Sequence, residues 1–318
     1  MFASFFVFAF LILKTIANPF PEINDIYHPI IAVLSTPVPS DTDEVIMNST
    51  IWGGYVRWLE QAGAQIIPIH PWYNPLEIDK VLQKSNGVLF LGGNRTVNIS
   101  HRYETTMHYI FNKVIQMNDQ KDYYPLFAIC FGFEAIPAFV ANNNSIVGKS
   151  NCTHKYIKSE LTKNAHKSRL FSNFNKKELD MINNTNATFQ LHIRGLLKET
   201  FESFEKVKEF FNVTSYGTDN DGNKFVNSYE GKNYPIYGVQ YHPEVIPYAR
   251  KEGFNENTKK ALIVSQLHAV FFTSEAEQSK HKIKDEEKQT LNLLSTYETK
   301  DFYTFKNNYL NFQREQKI

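Results

Sequence analysis

Short, wholly apolar runs recur along this chain, and amphipathic stretches separate them. The apolar runs predict strands near 29–34, 65–69, 87–91 and 126–130. The intervening segments predict helices near 49–62, 76–84 and 102–117. Strand and helix therefore alternate, which is the mark of a parallel α/β sheet. Residues 140–190 are polar and Asn-rich and predict loops with one short helix. Residues 213–241 read as two or three antiparallel strands, and 256–274 as a helix. The charged segment 275–290 reads as a solvated helix or linker, with the aromatic stretch Phe302–Phe305 packing back on the domain. No internal repeat is evident.

Two segments more than a hundred residues apart carry candidate chemistry. The first is Pro125-Leu-Phe-Ala-Ile-Cys130-Phe-Gly132-Phe-Glu134. Leu126–Ile129 suits a buried strand, and the residues after Gly132 suit a helix. Cys130 then sits on the turn between them, where free N–H groups and the helix dipole favour thiolate. Gly132 leaves room for a substrate carbonyl near the sulfur, and the Phe131 N–H points to where an oxyanion would form. The bland alternative is a buried cysteine acting as a small apolar residue. The second segment is Tyr237-Gly-Val-Gln-Tyr-His242-Pro-Glu244. Side chains alternate along a strand, so His242 and Glu244 lean to one side. A carboxylate so placed holds one ring nitrogen while the other faces a thiol. Without the strand before it, the tripeptide would read as a solvated turn.

Composition narrows the setting. The chain has 318 residues, 42% hydrophobic and 14% aromatic, enough for a sizeable core. A formal charge of +1 argues against nucleic acid or an anionic membrane as partner. Met1–Ala17 is apolar up to Leu13 and ends in Thr15-Ile-Ala17, which fits a cleaved signal peptide too short for a membrane span. Residues 18–318 then form one catalytic domain with a charged C-terminal extension from about 275. Entry to the secretory route gives meaning to the Asn-x-Ser/Thr acceptors at Asn48, Asn94, Asn98, Asn143, Asn151, Asn183, Asn186 and Asn212. Cys130 and Cys152 are the two cysteines, so a disulfide framework is absent. Asp219–Asn223 reads as a hairpin turn rather than a calcium loop, and Gly148-Lys-Ser150 lacks the first glycine of a phosphate loop.

The two segments together resemble the class I glutamine amidotransferase-like group, and within it the gamma-glutamyl hydrolase family. Pro29–Leu34, Tyr55–Ala64, Asn86–Gly93, Phe210–Val213 and Tyr234–Gly238 match in the same order, so the resemblance runs from about residue 28 into the C-terminal region. It implies a three-layer α/β sandwich with a mostly parallel central sheet and a small antiparallel section. It implies Cys130 as nucleophile, His242 as base and acid, and Glu244 as its orienter. Gly92 and Gly93 would form an oxyanion turn, with Gly93 N–H facing that of Phe131. Glu134 and His192 would lie at the substrate's glutamate end. The implied substrate is a poly-gamma-glutamylated folate, cleaved without metal or organic cofactor, with no membrane partner after signal cleavage. A homodimer and a lysosomal, vacuolar or extracellular location are also implied. Ala128, Leu91 and Pro137 depart from the usual family wording, and Pro137 predicts a kink in the helix after Cys130. Two other functions use the same residues: a glutaminase feeding ammonia to a synthase, and a non-catalytic binding protein.

Overall fold

The computed structural model of the chain describes residues 28–37, 48–247, 259–283 and 309–313. The expected signal peptide, residues 284–290 of the charged segment and Phe302–Phe305 lie outside the described residues. The first half runs β1 (Ile30–Leu34), β2 (Thr36–Pro37), β3 (Asn48–Trp52), α1 (Gly53–Glu60), β4 (Gln65–Ile69), α2 (Pro75–Leu82), β5 (Gly87–Phe90), α3 (Arg102–Asp119), β6 (Leu126–Ile129) and α4 (Phe131–Ala141). The second half runs β7 (Gly148–Ile157), β8 (Glu160–Leu161), α5 (Lys176–Asn184), β9 (Thr188–Gly195), α6 (Lys198–Ser203), α7 (Glu205–Phe210), β10 (Phe211–Thr218), β11 (Lys224–Gly231), β12 (Ile236–Val239), α8 (Lys259–Glu277) and β13 (Tyr309–Gln313).

Eight strands form the main sheet in the order β4-β1-β5-β6-β12-β11-β10-β8. The first five are parallel, and β11, β10 and β8 add antiparallel pairs at one side. Along the parallel strands successive side chains enter opposite cores. Ala32, Leu34, Val88, Phe90, Leu126 and Ala128 pack against α2, α3 and α4. Ile31, Val33, Leu89, Phe127 and Ile129 pack against α1 and α8. This is the expected three-layer sandwich, and Ala128 is one of its fully buried members.

Local signals set several boundaries. Asn74 opens α2 with a capping box to Glu77, and Pro75 follows at the first helical position. Asn175 and Glu178 do the same for α5. The Asp219 turn between β10 and β11 is a hairpin, its carboxylate accepting from the N–H groups of Asp221 and Asn223 at 2.9 Å each.

Two expectations give way. The helix expected over 49–62 begins only at Gly53, because Asn48–Trp52 is a strand held between β2 and β13. The region expected to be mostly loops contains a ten-residue strand, β7, paired with β9. Register shifts fall between Lys149 and Cys152 and between Thr153 and Lys155, and His154 sits at φ 54°. These irregularities break the period-two pattern that reveals a strand in a sequence.

Pro137 lies inside α4, which nevertheless continues to Ala141. Proline cannot donate to the carbonyl four residues back, that of Phe133. Tyr229 Oη on β11 donates to it instead, at 2.8 Å. Tyr229→Phe keeps the stacked ring pair with Phe133, 4.5 Å between centroids, and removes only that donor. The expected cost is about 1–3 kcal/mol, because a buried carbonyl is left without a partner. Urea unfolding checks this, and an unchanged midpoint would contradict it.

Candidate active site

The site begins with an unusual backbone. Cys130 follows the apolar strand β6 and adopts φ 50°, ψ −106° as it caps α4. Side chains other than glycine rarely occupy that region, at a cost of order 1–3 kcal/mol. Its surroundings hold it there. Cys130 N–H donates to the Val239 carbonyl at 2.9 Å, and its own carbonyl accepts from Glu134 N–H at 2.9 Å. Gly132 N–H donates to the Leu91 carbonyl at 3.1 Å. The turn is thus tied to both neighbouring strands. A methyl group on Gly132 would meet Phe90 Cβ at 2.7 Å and its carbonyl oxygen at 2.9 Å. Glycine is therefore required for α4 to cross β5, not to admit a substrate carbonyl as the sequence suggested.

His242 lies three residues beyond β12. Gln240 N–H donates to the Asn227 carbonyl and His242 N–H to that of Phe189, each at 2.9 Å, so this segment is held by β11 and β9. The carbonyl of Pro243 accepts from Ser265 Oγ, and Trp58 Nε1 donates to the Ser265 carbonyl at 2.9 Å. Helices α8 and α1 thereby fix the His242–Glu244 turn from below. His242 Nδ1 is 2.7 Å from Glu244 Oε1, and Glu244 is fully buried. Cys130 borders the same small space beside Gly92, and its charge acts on the imidazole. Nε2 makes no hydrogen bond to any described residue. Burial alone would discharge the ring. The negative charges of Cys130 and Glu244 outweigh it and hold the imidazole pKa well above its ordinary value.

Gly92 closes the arrangement. A methyl group there would lie 2.7 Å from His242 Cε1, 2.8 Å from Tyr55 Oη and 3.2 Å from Cys130 Cβ. Sulfur-bearing residue, imidazole and Tyr55 thus share one small space. Gly92 N–H donates to Tyr55 Oη at 2.9 Å. The same hydroxyl lies against the Glu244 carboxylate; burial first, then the charges of Glu244 and Cys130, keep it from ionising. Gly93 faces open space, and a methyl group on it would meet nothing within 4 Å. Phe131, the first residue of α4, has no intrahelical acceptor for its N–H.

Glu134 stands one helical turn beyond Cys130, almost wholly buried, and accepts from Gln240 Nε2 at 2.9 Å. Burial raises its pKa to about 7, against the opposing pull of Gln240, Arg194 and His242. An acid whose pKa is raised by folding keeps its proton longer than the unfolded chain does. Stability is therefore lost as pH rises from its ordinary 4.5 to about 7. Glu134→Gln cannot ionise. Its stability advantage over the wild type is expected to widen across that window by on the order of 3 kcal/mol. Thermal unfolding at a series of pH values measures this, and a constant gap would refute it.

His192 on β9 is also buried and feels the charge of His242. Its ring nitrogens face protein oxygens, Ser150 O at 3.2 Å and Gln190 Oε1 at 3.1 Å. Burial lowers its pKa to about 4. Cys130 and Cys152 are both free thiols. Cys152 lies opposite His192 in the β7–β9 pair, and burial pushes its pKa to about 11. Among the described residues no cluster of His, Cys, Asp or Glu is arranged to hold a metal ion, and no helix is long and apolar enough to cross a membrane.

The structure brings Cys130, His242, Glu244 and Gly92 together, with Gly93 and Phe131 beside them and Glu134 and His192 behind. Sequence reasoning does not reach Tyr55 or Gln240. Tyr55 reads as one more core residue of an amphipathic helix. Gln240 has a signal, since spacing by two puts it on the same side as His242 and Glu244.

Comparison with known proteins places this geometry. The family described as glutamine amidotransferase class-I matches residues 54–261. The gamma-glutamyl hydrolase of Mus musculus is 32% identical over 258 residues, covering 81% of this chain and 80% of the relative. The chain belongs to the gamma-glutamyl hydrolase family. It is a hydrolase. Gamma-glutamyl hydrolase B of Dictyostelium discoideum is 29% identical over 279 residues, covering 87% of this chain and 80% of that protein. The gamma-glutamyl hydrolase of Homo sapiens is 30% identical over 256 residues, covering 80% and 79%. A solved structure of PurLQS from Thermotoga maritima aligns with a TM-score of 0.43 at 14% identity, covering 76% of this chain and 98% of that one. The matched residues 54–261 include both the Cys130 turn and the His242–Glu244 turn.

Proposed function

We propose that this hydrolase cleaves gamma-linked glutamates from folylpoly-gamma-glutamates through a thioester on Cys130. One observation carries the reading. A buried imidazole is held by a carboxylate at 2.7 Å on one nitrogen and shares one small space beside Gly92 with Cys130, whose charge acts on it. The Cys130 thiolate attacks the gamma-amide carbonyl, forming the carbon–sulfur bond. The N–H groups of Gly93 and Phe131 stabilise the oxyanion. As the carbon–nitrogen bond breaks, protonated His242 gives its proton to the leaving amine. Neutral His242 then takes a proton from water, which hydrolyses the gamma-glutamyl thioester and restores the thiolate–imidazolium pair. Glu244 holds the imidazole in register and stabilises its charge through both steps. No metal or organic cofactor enters this sequence.

The same reading extends to the rest of the chain. Met1–Ala17 directs a single-domain enzyme into the secretory route, towards a lysosome, vacuole or the extracellular space, as a monomer or homodimer. Asn94, Asn98, Asn143, Asn186 and Asn212 are exposed and suit glycan attachment, whereas Asn183 accepts from Leu161 N–H at 2.9 Å and is less available. Incubating the purified protein with a polyglutamylated pteroate and weighing the products tests the activity. Release of glutamate or short gamma-glutamyl chains is expected. An intact substrate, or ammonia released from free glutamine alone, would reject the reading.

A further inference from the structure

Strand β9 presents Gln190, His192 and Arg194 on one side, because side chains alternate along it. The first two are buried and committed to protein partners. Arg194 is half-buried and differs from them. It donates through Nη2 to Thr96 Oγ1 at 2.5 Å, reaching across to the loop that follows Gly92-Gly93. Its charge acts on Glu134, which stands one turn beyond Cys130. Among the described residues it makes no ion pair. Arg95, on that same loop, is instead matched by Glu104 at 3.7 Å and lies 5.3 Å from the centre of the Tyr103 ring. The thiol, Glu134 and Glu244 are otherwise acidic neighbours, and an anionic substrate needs a cation here.

A gamma-linked glutamate supplies the matching anion. Its chain runs through the side-chain carbonyl, so the α-carboxylate stays free beside the bond to be cut. We propose that Arg194 is a specificity-determining residue that pairs with the α-carboxylate of the gamma-glutamyl group entering the Cys130 site. A guanidinium offers two parallel N–H donors to a carboxylate, and Thr96 already orients one edge of the fork. Glu134 does not oppose this while it holds its proton, which burial favours up to about pH 7. This inference rests on the gamma-glutamyl hydrolase reading and adds to it the group that selects the substrate.

The test compares two gamma-glutamyl amides that differ only in the α-group, carboxylate or neutral carboxamide. Each is assayed with wild type, Arg194→Ala and Arg194→Lys, after their thermal midpoints are matched to the wild type. On the carboxylate substrate Arg194→Ala is expected to raise KM about 10- to 100-fold with kcat changed only a few-fold. Lysine should recover part of the loss as a point charge. On the carboxamide the wild type should already be weak, and Arg194→Ala should add less than about 3-fold. Equal losses on both substrates would overturn the proposal and leave Arg194 as a tether for the Thr96 loop. If alanine unfolds the protein, the same comparison is read from the lysine variant alone. A wild type that cleaves neither compound overturns the hydrolase reading, and this one with it. A wild type active on both without preference overturns only the role of Arg194.

Discussion

Cys130→Ala is expected to lower hydrolysis of a gamma-glutamyl amide by about 10⁴-fold or more, because the acyl group then has no nucleophile to receive it. Steady-state rates with a polyglutamylated pteroate measure this, and activity within tenfold of wild type would remove the thioester from the mechanism. The same position makes a second, independent demand. At φ 50°, ψ −106° an L side chain is strained, whereas glycine is not. In ordinary helical or strand backbone glycine is about 1 kcal/mol less stable than alanine. Here the order should reverse, with Cys130→Gly more stable than Cys130→Ala by roughly 1 kcal/mol. Both variants lack the thiol, so comparing them isolates the backbone. Denaturant midpoints that place glycine well below alanine would show that the turn is not strained. The two outcomes together would say that strain at the nucleophile is retained for reactivity and costs stability.

Glu244→Gln is the next largest. The carboxylate lies 2.7 Å from His242 Nδ1 and is fully buried, so its charge acts with little screening. Glutamine keeps the shape but removes the charge that favours imidazolium. Turnover is expected to fall roughly 10²- to 10⁴-fold, the usual range for losing effective acid–base catalysis. The sign of the pH effect follows from the linkage. Glu244 and Cys130 both raise the His242 pKa, so removing one of them lowers it. The group that protonates the leaving amine then discharges at lower pH. The alkaline limb of the kcat profile should move towards acid. An unmoved limb would mean that His242 is not the acid, whatever the size of the rate loss.

Much of this site is legible in the amino-acid sequence. Cys130 stands out because an apolar run stops at it and a helix starts after it. His242 and Glu244 stand out because spacing by two on a strand end puts them on one side. Other features are not legible, and each has a physical cause. Tyr55 looks like any buried residue of α1, and only its 2.9 Å bond from Gly92 N–H shows that it abuts the turn. Gly132 suggests space for a substrate, yet its neighbour is the Phe90 backbone. β3 looks like the start of a helix, since its partners β2 and β13 lie on opposite sides of it in the chain, β13 more than 250 residues on. β7 is hidden by its own bulges.

The alternation of strand and helix through the parallel part of the sheet, the apolar runs with two buried faces and the candidate side chains at strand ends follow from local pattern alone. Periodicity and turn chemistry act over a few residues, and a sequence carries them openly. What surrounds the thiol was decided only by folding. The parallel sheet sets β5, β6 and β12 side by side, and that adjacency alone brings Gly92, Cys130 and His242 to one edge. Tyr55 arrives there from α1, a separate element, through packing that no short stretch of chain contains.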